Sequence, residues 1–246
     1  MDELVSIITW LMATLFLLLM FPVTILIWLV TLPFGNSDSA VHRWVTFQCS
    51  FLIRSIPLWR VTCTGKENLT EKTCVIVANH QSILDIPLIH ILGGDFRWVS
   101  KESVFRIPLL GATMRMAGYI PVIRGNAESV TAMMNRAEEY LKEGVSVILF
   151  PEGTRTKDGE VKRFRSGAFR LALSVNMPVQ PVVIDGTAGV LPKKGIVFSR
   201  GCPVKIRVLP AVMPDGFPER TPDRLAHWFE QDVRDQLELL RRTDSE

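Results

Sequence analysis

Residues 75–85 of this 246-residue chain decide how it folds, and they read VIVANHQSILD. An apolar, strand-like run from Val75 to Ala78 gives way to a polar turn, and a helix-like segment follows. This change of pattern is typical of an α/β unit, in which functional side chains collect where a strand ends. His80 lies at that point, where a histidine acting as a base would be placed.

The spacing of His80 and Asp85 limits how they can meet. Residues five apart in one continuous helix differ by about 140° around its axis, so their side chains would diverge. The sequence therefore predicts that His80 precedes the helix, that Ser82 is the N-cap and that Asp85 is the third helical residue. From there the carboxylate can accept the imidazole N–H and hold the other ring nitrogen as a base. An alternative remains open, in which Ser82 and Asp85 form only a capping box.

A second strand-like run, Val145 to Phe150, leads directly into residues 151–156, which read PEGTRT. Arg155 offers a planar guanidinium group that suits a phosphate, and Gly153 allows close approach of backbone. Because ligand sites in open α/β sheets gather outside the carboxyl ends of strands, we expect this turn to lie near the first one. The alternative is that Glu152 and Arg155 simply pair with each other across a surface turn.

Strand-like and helix-like runs alternate from residue 58 onward, which predicts an α/β fold with a mixed sheet flanked by helices. The predicted strands are Leu58–Cys63, Cys74–Ala78, Arg97–Ser100, Ile120–Ile123, Val145–Phe150, Val179–Ile184 and Val204–Leu209. The predicted helices are Ser82–Ile91, Pro108–Met116, Ala127–Lys142, Gly167–Val175 and Asp223–Arg241. The last helix carries an apolar stripe, which we interpret as core packing.

Five segments together resemble the glycerolipid acyltransferases, specifically the 1-acylglycerol-3-phosphate (lysophosphatidic acid) acyltransferases. Residues 79–85 fit the family's signature of His, four residues and Asp, and residues 150–155 fit its acceptor-binding motif. Residues 101–111 with 118–124 look like the second family block, and residues 179–183 resemble the fourth. The blocks occur in family order between Val61 and Pro210. One departure is Gln180, where an apolar or small residue is expected.

The resemblance implies an enzyme that transfers an acyl group from acyl-CoA or acyl carrier protein to the sn-2 hydroxyl of a lysophosphatidic acid. The product would be phosphatidic acid, in phospholipid biosynthesis. His80 would be the general base and Asp85 its partner, with no cofactor beyond the acyl thioester co-substrate. The substrate-binding residues implied in this way are Lys101, Arg124, Glu152, Gly153, Thr154 and Arg155. Arg124 also has a simpler interpretation as an ordinary loop cation.

Two other functions stay open at this point. One keeps the chemistry and changes the acceptor to glycerol 3-phosphate or a lyso-aminolipid. The other is a non-catalytic phospholipid-binding protein that has kept the fold. The intact pair His80 and Asp85, together with Arg155, favours the enzyme over the binding protein.

The amino-terminal segment predicts a membrane anchor over residues 1–57, followed by an acyltransferase domain over residues 58–246. No charged side chain occurs from Leu4 to Ser37, and Leu, Ile, Val, Phe and Trp dominate this run. It is long enough to span a bilayer, although Pro22 and Pro33 predict a kink and an end. Residues 39–56 are amphipathic, so we expect a two-helix anchor that either spans the membrane or lies in one leaflet.

Charge predicts which side of the membrane the domain occupies. Arg43, Arg54 and Arg60 follow the apolar run, whereas only acidic residues precede it, which places the domain in the cytoplasm, on the inner membrane if the protein is bacterial. The net charge is +3, and since residues 1–37 carry −2, the remainder carries +5. A basic body suits an anionic membrane surface and anionic substrates. The chain contains no nucleic-acid recognition motif, so no nucleic-acid partner is expected.

The sequence argues against several other enzyme classes. The Gly-x-Ser-x-Gly elbow, the Gly-x-x-x-x-Gly-Lys phosphate loop and the Gly-x-Gly-x-x-Gly turn are all absent. The four cysteines are scattered without metal-ligand spacing, so reduced thiols and no metal site are expected. We interpret His42, His90 and His227 as structural, because none has a matching carboxylate motif.

Overall fold

Seven strands form one mixed β-sheet in the computed structural model, which describes residues 2–56 and 60–242. The strands are β1 (Arg60–Thr64), β2 (Val75–Ala78), β3 (Phe96–Lys101), β4 (Ile120–Val122), β5 (Ser146–Leu149), β6 (Val179–Asp185) and β7 (Pro203–Val208). Their order across the sheet is β1-β7-β6-β2-β5-β3-β4.

Eight α-helices are described, seven of them at positions where the sequence predicts a helix, α7 being the exception. They are α1 (Asp2–Thr31), α2 (Ser37–Ser55), α3 (Asp85–Ile89), α4 (Leu110–Met116), α5 (Ala127–Lys142), α6 (Gly167–Ser174), α7 (Thr187–Val190) and α8 (Pro222–Arg242). Short 3₁₀ turns occur at Leu32–Phe34, Lys66–Asn68, His90–Leu92, Glu102–Arg106 and Pro214–Gly216. Two predicted positions, Leu58 and the domain boundary after residue 57, lie outside the described residues.

Alternating side chains of the strands feed two separate cores, one on each face of the sheet. Val75 and Val77 point to the face covered by α5, α6 and α8, whereas Ile76 and Ala78 point to the face covered by α2, α3 and α4. Both faces of β2 are buried, which explains why the strand reads as a continuous apolar run. The predicted mixed sheet flanked by helices is therefore confirmed.

The direction of the strands positions the functional side chains. Strands β6, β2, β5, β3 and β4 are all parallel, so their carboxyl ends meet at one edge of the sheet. Strand β7 is antiparallel to β6 and parallel to β1, which makes the sheet mixed. The turns that follow β2 and β5 therefore lie side by side, as expected for neighbouring parallel strands.

Helix α1 is long and apolar, and it lies along the domain. Its 30 residues extend about 45 Å. Near its amino end, Ser6 Oγ accepts from the Phe198 backbone N–H at 2.8 Å, and Trp10 Nε1 donates to the Ile196 carbonyl at 2.7 Å. Near its other end, Ile27 and Trp28 pack against the core of the domain. The helix continues through Pro22 and ends at Thr31, in the turn that contains Pro33.

The prediction of a two-helix anchor is not confirmed, because α2 packs against the domain. His42 Nδ1 lies 3.1 Å from the Tyr119 hydroxyl, and Arg97 donates to Ser39 Oγ at 2.8 Å. Among the described helices, the one long and apolar enough to cross a membrane is α1, within the segment Asp2–Phe34. Helix α2 therefore joins α1 to the sheet.

Candidate active site

The turn after β2 is fixed to the neighbouring strand by Asn79. Its side-chain amide donates to the Ile184 carbonyl at 2.8 Å, and its Oδ1 accepts from the Ile184 N–H at 2.8 Å. The buried Asn79 side chain therefore extends the hydrogen bonding between β2 and β6 beyond the end of β2. The chain leaves the sheet at a defined angle, which places His80 just beyond the edge.

His80 and Asp85 form a close pair at this edge. His80 Nδ1 lies 2.7 Å from Asp85 Oδ2. An ionised carboxylate can only accept, so a neutral His80 carries its proton on Nδ1 and leaves Nε2 with a free lone pair. The Asp85 side chain is fully buried, whereas 11% of the His80 side chain remains exposed. A substrate can therefore approach the His80 ring. Asp85 is closed off from solvent and contacts only other groups of the protein.

Four donors surround the Asp85 carboxylate. Besides His80, the backbone N–H groups of Gln81 and Ser82 donate to Oδ2 at 2.7 and 2.9 Å. The other oxygen, Oδ1, accepts from the Thr187 hydroxyl at 2.6 Å. A carboxylate that receives this many hydrogen bonds tolerates burial as an anion and has a fixed orientation.

The predicted cap of α3 is wrong in its position. The helix begins at Asp85 with Leu84 as the N-cap, so Asp85 is the first helical residue. Ser82 forms a tight turn instead, because its carbonyl accepts from the Asp85 N–H at 3.3 Å and its hydroxyl donates to the Leu191 carbonyl at 2.7 Å. Asp85 still reaches back to the Ser82 N–H as in a capping box, but it binds His80 as well.

The His80 ring stacks on Phe150, the first residue after β5. The ring centroids are 3.9 Å apart and the planes differ by 8°. Phe150 in turn contacts Trp98, with 5.4 Å between centroids. The imidazole is therefore held on one face by an aromatic ring and along one edge by Asp85.

Glu152 joins the two turns through the backbone of His80. Its Oε1 accepts from the His80 N–H at 2.8 Å, and the Thr156 N–H donates to the His80 carbonyl at 2.8 Å. Burial raises the pKa of Glu152 from 4.5 to about 7, against the effect of the backbone donors of His80 and Lys162. The alternative in which Glu152 pairs with Arg155 is therefore wrong, and Glu152 organises the backbone.

Gly153 and Thr154 shape the turn that follows. Gly153 has φ of +70°, and a Cβ there would come within 3.1 Å of the Arg165 guanidinium group. A side chain would be strained by the backbone and would displace that arginine. Thr154 Oγ1 accepts from Lys193 Nζ at 3.2 Å.

A cluster of five cations lies beside this turn, and we call it the cation cluster. Its members are Arg124, Arg155, Lys162, Arg165 and Lys193. The Arg155 carbonyl accepts from both Lys162 Nζ at 3.0 Å and Lys193 Nζ at 2.6 Å. The pKa of Arg124 is lowered, first by burial and then by the charges of Arg165 and Arg155. The pKa of Lys193 is lowered by desolvation and then by nearby cations, Lys162 first among them. Such mutual repulsion favours binding of an anion.

Lys101 does not contact this cluster within the described residues. It is the last residue of β3, at the same edge of the sheet, and its side chain is exposed. Within residues 2–56 and 60–242 its side chain makes no hydrogen bond or ion pair. Arg124, by contrast, lies two residues after the end of β4, and the charges of Arg165 and Arg155 contribute to lowering its pKa, after burial.

Sequence reasoning missed several residues of this site, among them Lys162, Lys193 and Thr187. Lys193 lies in the run Leu-Pro-Lys-Lys at residues 191–194, shortly after β6 and α7. The pair of lysines was the sequence signal that could have indicated an anion site. Thr187 follows Gly186, and nothing in its local pattern pointed to Asp85, which is 102 residues away. The departure at Gln180 is explained by its contacts, because its amide accepts from the Thr70 N–H and donates to the Leu209 carbonyl.

The remaining histidines and cysteines lie away from this edge. His42 and His90 are buried, and burial lowers their pKa values to about 4 and about 3. They are linked through Thr46, which lies 2.9 Å from His90 Nδ1, so both hold α2 against the domain. All four cysteines are free. A cavity of about 410 Å³ also lies outside the site, between Phe105, Arg115 and Tyr140.

Comparisons with known proteins agree on one family. The family model named Acyltransferase matches residues 60–185. The chain is 40% identical over 138 residues to the chloroplastic 1-acyl-sn-glycerol-3-phosphate acyltransferase BAT2 of Brassica napus, covering 55% of this chain and 40% of that protein. It is 32% identical over 200 residues to the 1-acyl-sn-glycerol-3-phosphate acyltransferase of Saccharomyces cerevisiae, covering 79% of this chain and 64% of that protein. The chain thus spans about 40% of the length of the plant relative.

A solved structure matches nearly the whole chain. It is the crystal structure of the 1-acyl-sn-glycerophosphate (LPA) acyltransferase PlsC from Thermotoga maritima, with a TM-score of 0.83 and 26% identity. The match covers 98% of this chain and 96% of that chain. The likeness therefore includes α1 and α2 as well as the sheet.

Proposed function

Since the chain belongs to the Acyltransferase family, we propose that it transfers an acyl group from an acyl thioester to the sn-2 hydroxyl of 1-acylglycerol 3-phosphate, giving phosphatidic acid in phospholipid biosynthesis. The relatives at 32–40% identity are named for this acceptor, which supports the same acceptor here. The observation that carries the proposal is the His80–Asp85 pair, which leaves Nε2 free beside a cluster of cations.

His80 acts as the general base in this reaction. Its Nε2 takes the proton of the acceptor hydroxyl as the oxygen attacks the thioester carbonyl, and Asp85 stabilises the imidazolium that forms. The tetrahedral intermediate then collapses, the carbon–sulfur bond breaks, and the leaving thiolate takes the proton from His80, which becomes neutral again. The acceptor itself is the nucleophile, so no acyl-enzyme forms.

The oxyanion of that intermediate needs hydrogen-bond donors, and the structure narrows the choice. The backbone N–H of His80 is taken by Glu152, and those of Gln81 and Ser82 are taken by Asp85. These three groups are therefore unavailable. The exposed ammonium group of Lys101 has no competing partner within the described residues, and we assign it this role within the proposal.

The cation cluster holds the phosphate of the acceptor. A phosphomonoester carries close to two negative charges, and Arg155 presents a guanidinium group suited to two of its oxygens. Arg155 is adjacent to Thr156, whose N–H donates to the His80 carbonyl, so the cluster and the base share one backbone framework. The proposal therefore places the acceptor between them.

We further propose that α1 lies within one leaflet and places the domain at the cytoplasmic face. Its outer side chains form an apolar surface, with Leu11 64% exposed and Leu26 61% exposed. Ser6 at one end and Trp28 at the other both contact the domain, so α1 follows the protein surface for most of its length. Lysophosphatidic acid and the membrane would then meet the active site on the same side.

Purified protein in detergent or lipid vesicles tests the proposed activity. It is given lysophosphatidic acid with acyl-CoA or acyl carrier protein thioesters, and the products are identified by mass spectrometry. We expect phosphatidic acid, and we expect little acyl transfer to glycerol 3-phosphate or lysophosphatidylethanolamine. Equal transfer to all three acceptors would contradict the phosphate-based assignment, and no transfer with either donor would contradict the enzyme.

A further inference from the structure

Building on the proposed function, we infer that Thr187 is a positioning residue for the His80–Asp85 pair, acting through its side-chain hydroxyl. The hydroxyl lies 2.6 Å from Asp85 Oδ1, and both side chains are fully buried. Thr187 fixes the plane of the carboxylate, so that Oδ2 stays directed at His80 Nδ1. It acts through Asp85, and no contact with the reacting atoms is required.

The hydrogen bonds of Asp85 are divided unequally between its oxygens. Oδ2 receives three donors, namely His80 Nδ1 and the backbone N–H groups of Gln81 and Ser82. Oδ1 receives one within the described residues, from Thr187. Removing that donor leaves a charged oxygen buried without a partner, which is among the more costly changes in a protein interior. The carboxylate then relieves the cost by rotating, which weakens its bond to His80.

The neighbouring Gln81 determines where the single hydroxyl proton of Thr187 points. Gln81 Nε2 donates to the Gly159 carbonyl at 2.9 Å and to Asp185 Oδ1 at 3.2 Å, so its Oε1 faces Thr187 at 3.4 Å. Both Gln81 Oε1 and Asp85 Oδ1 are acceptors, and one hydroxyl can donate to only one of them. Asp85 is closer and charged, so the proton is directed to it.

The fold holds Thr187 in this place through the end of β6. Strands β2 and β6 are parallel neighbours, with Ala78 opposite Val182, so the chain after each strand emerges at the same edge. Between β6 and Thr187 stands Gly186, with φ of +85°. A Cβ at Gly186 would lie 1.9 Å from the Pro203 carbonyl oxygen, so only glycine permits this turn. The Asp185 carboxylate beside it is held by Arg241 of α8 at 3.1 Å.

The test compares hydroxyl-bearing and hydroxyl-lacking side chains of matched size. Thr187→Val is compared with the wild type, and Thr187→Ala is compared with Thr187→Ser, using the full chain in detergent and steady-state acyl transfer. We expect kcat to fall about 10- to 100-fold in each variant that lacks the hydroxyl, with KM for lysophosphatidic acid nearly unchanged. Thr187→Ser should retain most of the wild-type kcat. If Thr187→Val does not fold, the Ala and Ser pair carries the same comparison.

Two controls separate positioning from packing. Thr113→Val removes a buried hydroxyl that has no hydrogen-bond partner within the described residues, and it should leave kcat unchanged. In an Asp85→Asn background, loss of the Thr187 hydroxyl should have much less effect on the residual kcat than in the wild type, because the two residues act as one unit.

The outcomes are distinct. Equal loss of kcat in Thr187→Ser and Thr187→Ala would overturn the inference, since the methyl group and not the hydroxyl would then matter. Wild-type kcat in Thr187→Val would also overturn it. A wild type without acyl transfer, or a fully active His80→Ala variant, would instead contradict the proposed function on which the inference rests.

Discussion

The imidazole of His80 lies face to face with the ring of Phe150, at 3.9 Å between centroids and with 8° between planes. Asp85 fixes one edge of the imidazole, and Phe150 prevents rotation about the axis of that hydrogen bond. The direction of Nε2 is therefore set by two contacts, one from the segment that follows β2 and one from the segment that follows β5. Neither contact alone would define it.

Replacing Phe150 by Leu should lower kcat about 3- to 10-fold, because stacking of this kind contributes roughly 0.5–1.5 kcal/mol. KM for lysophosphatidic acid should change little, since the cation cluster is untouched. Phe150→Tyr keeps the ring and serves as the matched control. Steady-state kinetics of the three proteins measures the effect, and a fully active Leu variant would show that the stacking is unimportant.

Replacing His80 by Ala should lower kcat about 10²- to 10⁴-fold, the usual contribution of a general base. Asp85→Asn should also lower kcat strongly, because an amide can donate to His80 Nδ1 and so favours the wrong tautomer. Single-turnover acyl transfer with a mass-spectrometric readout measures both. A His80→Ala protein as fast as the wild type would remove His80 from the mechanism.

Replacing Arg155 or Lys193 by Ala should raise KM for lysophosphatidic acid about 10- to 100-fold, the range expected for a lost hydrogen bond to a charged group. KM for the acyl thioester should stay within about twofold of the wild-type value, because a twofold change is smaller than the effect of losing one hydrogen bond to a charged group. Lys194→Ala is the matched control, since Lys194 is the exposed neighbour of Lys193. Equal changes in both KM values, or an equal effect in Lys194→Ala, would contradict a phosphate site.

Glu152→Gln should change how stability depends on pH. The pKa of Glu152 in the folded protein is about 7, above its ordinary value of 4.5, so the folded state binds this proton more tightly. The stability contributed by protonated Glu152 is fully present below pH 4.5 and is lost as the pH rises through 7. The glutamine variant lacks this loss, and the difference from the wild type should reach about 3 kcal/mol.

Denaturant unfolding at a series of pH values measures this effect of Glu152→Gln. The variant keeps a carbonyl oxygen to accept from the His80 N–H, so the wild type and the variant differ mainly in charge. The free energy of unfolding should separate between pH 4.5 and 7 and run parallel above that range. Parallel curves throughout would show that the pKa of Glu152 is not raised in the folded protein.

A double variant with Leu11→Glu and Leu18→Glu should weaken membrane binding. The two residues are seven apart, so they lie on one side of α1, and they are 64% and 52% exposed. Each loses roughly 1.5–3 kcal/mol of apolar burial in lipid. Val130→Glu on α5 is the control, with 39% exposure at a site away from α1. Flotation with anionic vesicles measures binding, and unchanged flotation of the double variant would contradict α1 as the anchor.

The sequence predicts the strands well because buried parallel strands leave a strong local signal. Strand β5, for example, is a short apolar run bounded by Gly144 and Pro151, and it is found within one residue of its predicted limits. The start of α3 is less predictable, because Ser82 has a second acceptor in Leu191, which lies 109 residues away. A capping preference is local, whereas this hydrogen bond depends on the folded chain.

The residues of the site divide in the same way, into those with a local sequence signal and those without one. His80, Asp85 and Arg155 stand out because strand ends and polar turns mark them locally. Thr187 and Lys193 do not, since their partners come from other turns at the same edge. Helix α2 illustrates the same limit, because its amphipathic pattern fits a membrane surface and a protein surface equally well, and its buried face contacts Tyr119.

The four donors around Asp85 have a consequence for how the protein responds to substrate. All of them are groups of the protein itself, so the carboxylate has its final surroundings before any lipid arrives. Reorganisation around the base is then completed once, during folding, and does not recur with each turnover. The reaction should accordingly start without a lag when lysophosphatidic acid is mixed with enzyme that already holds its acyl donor.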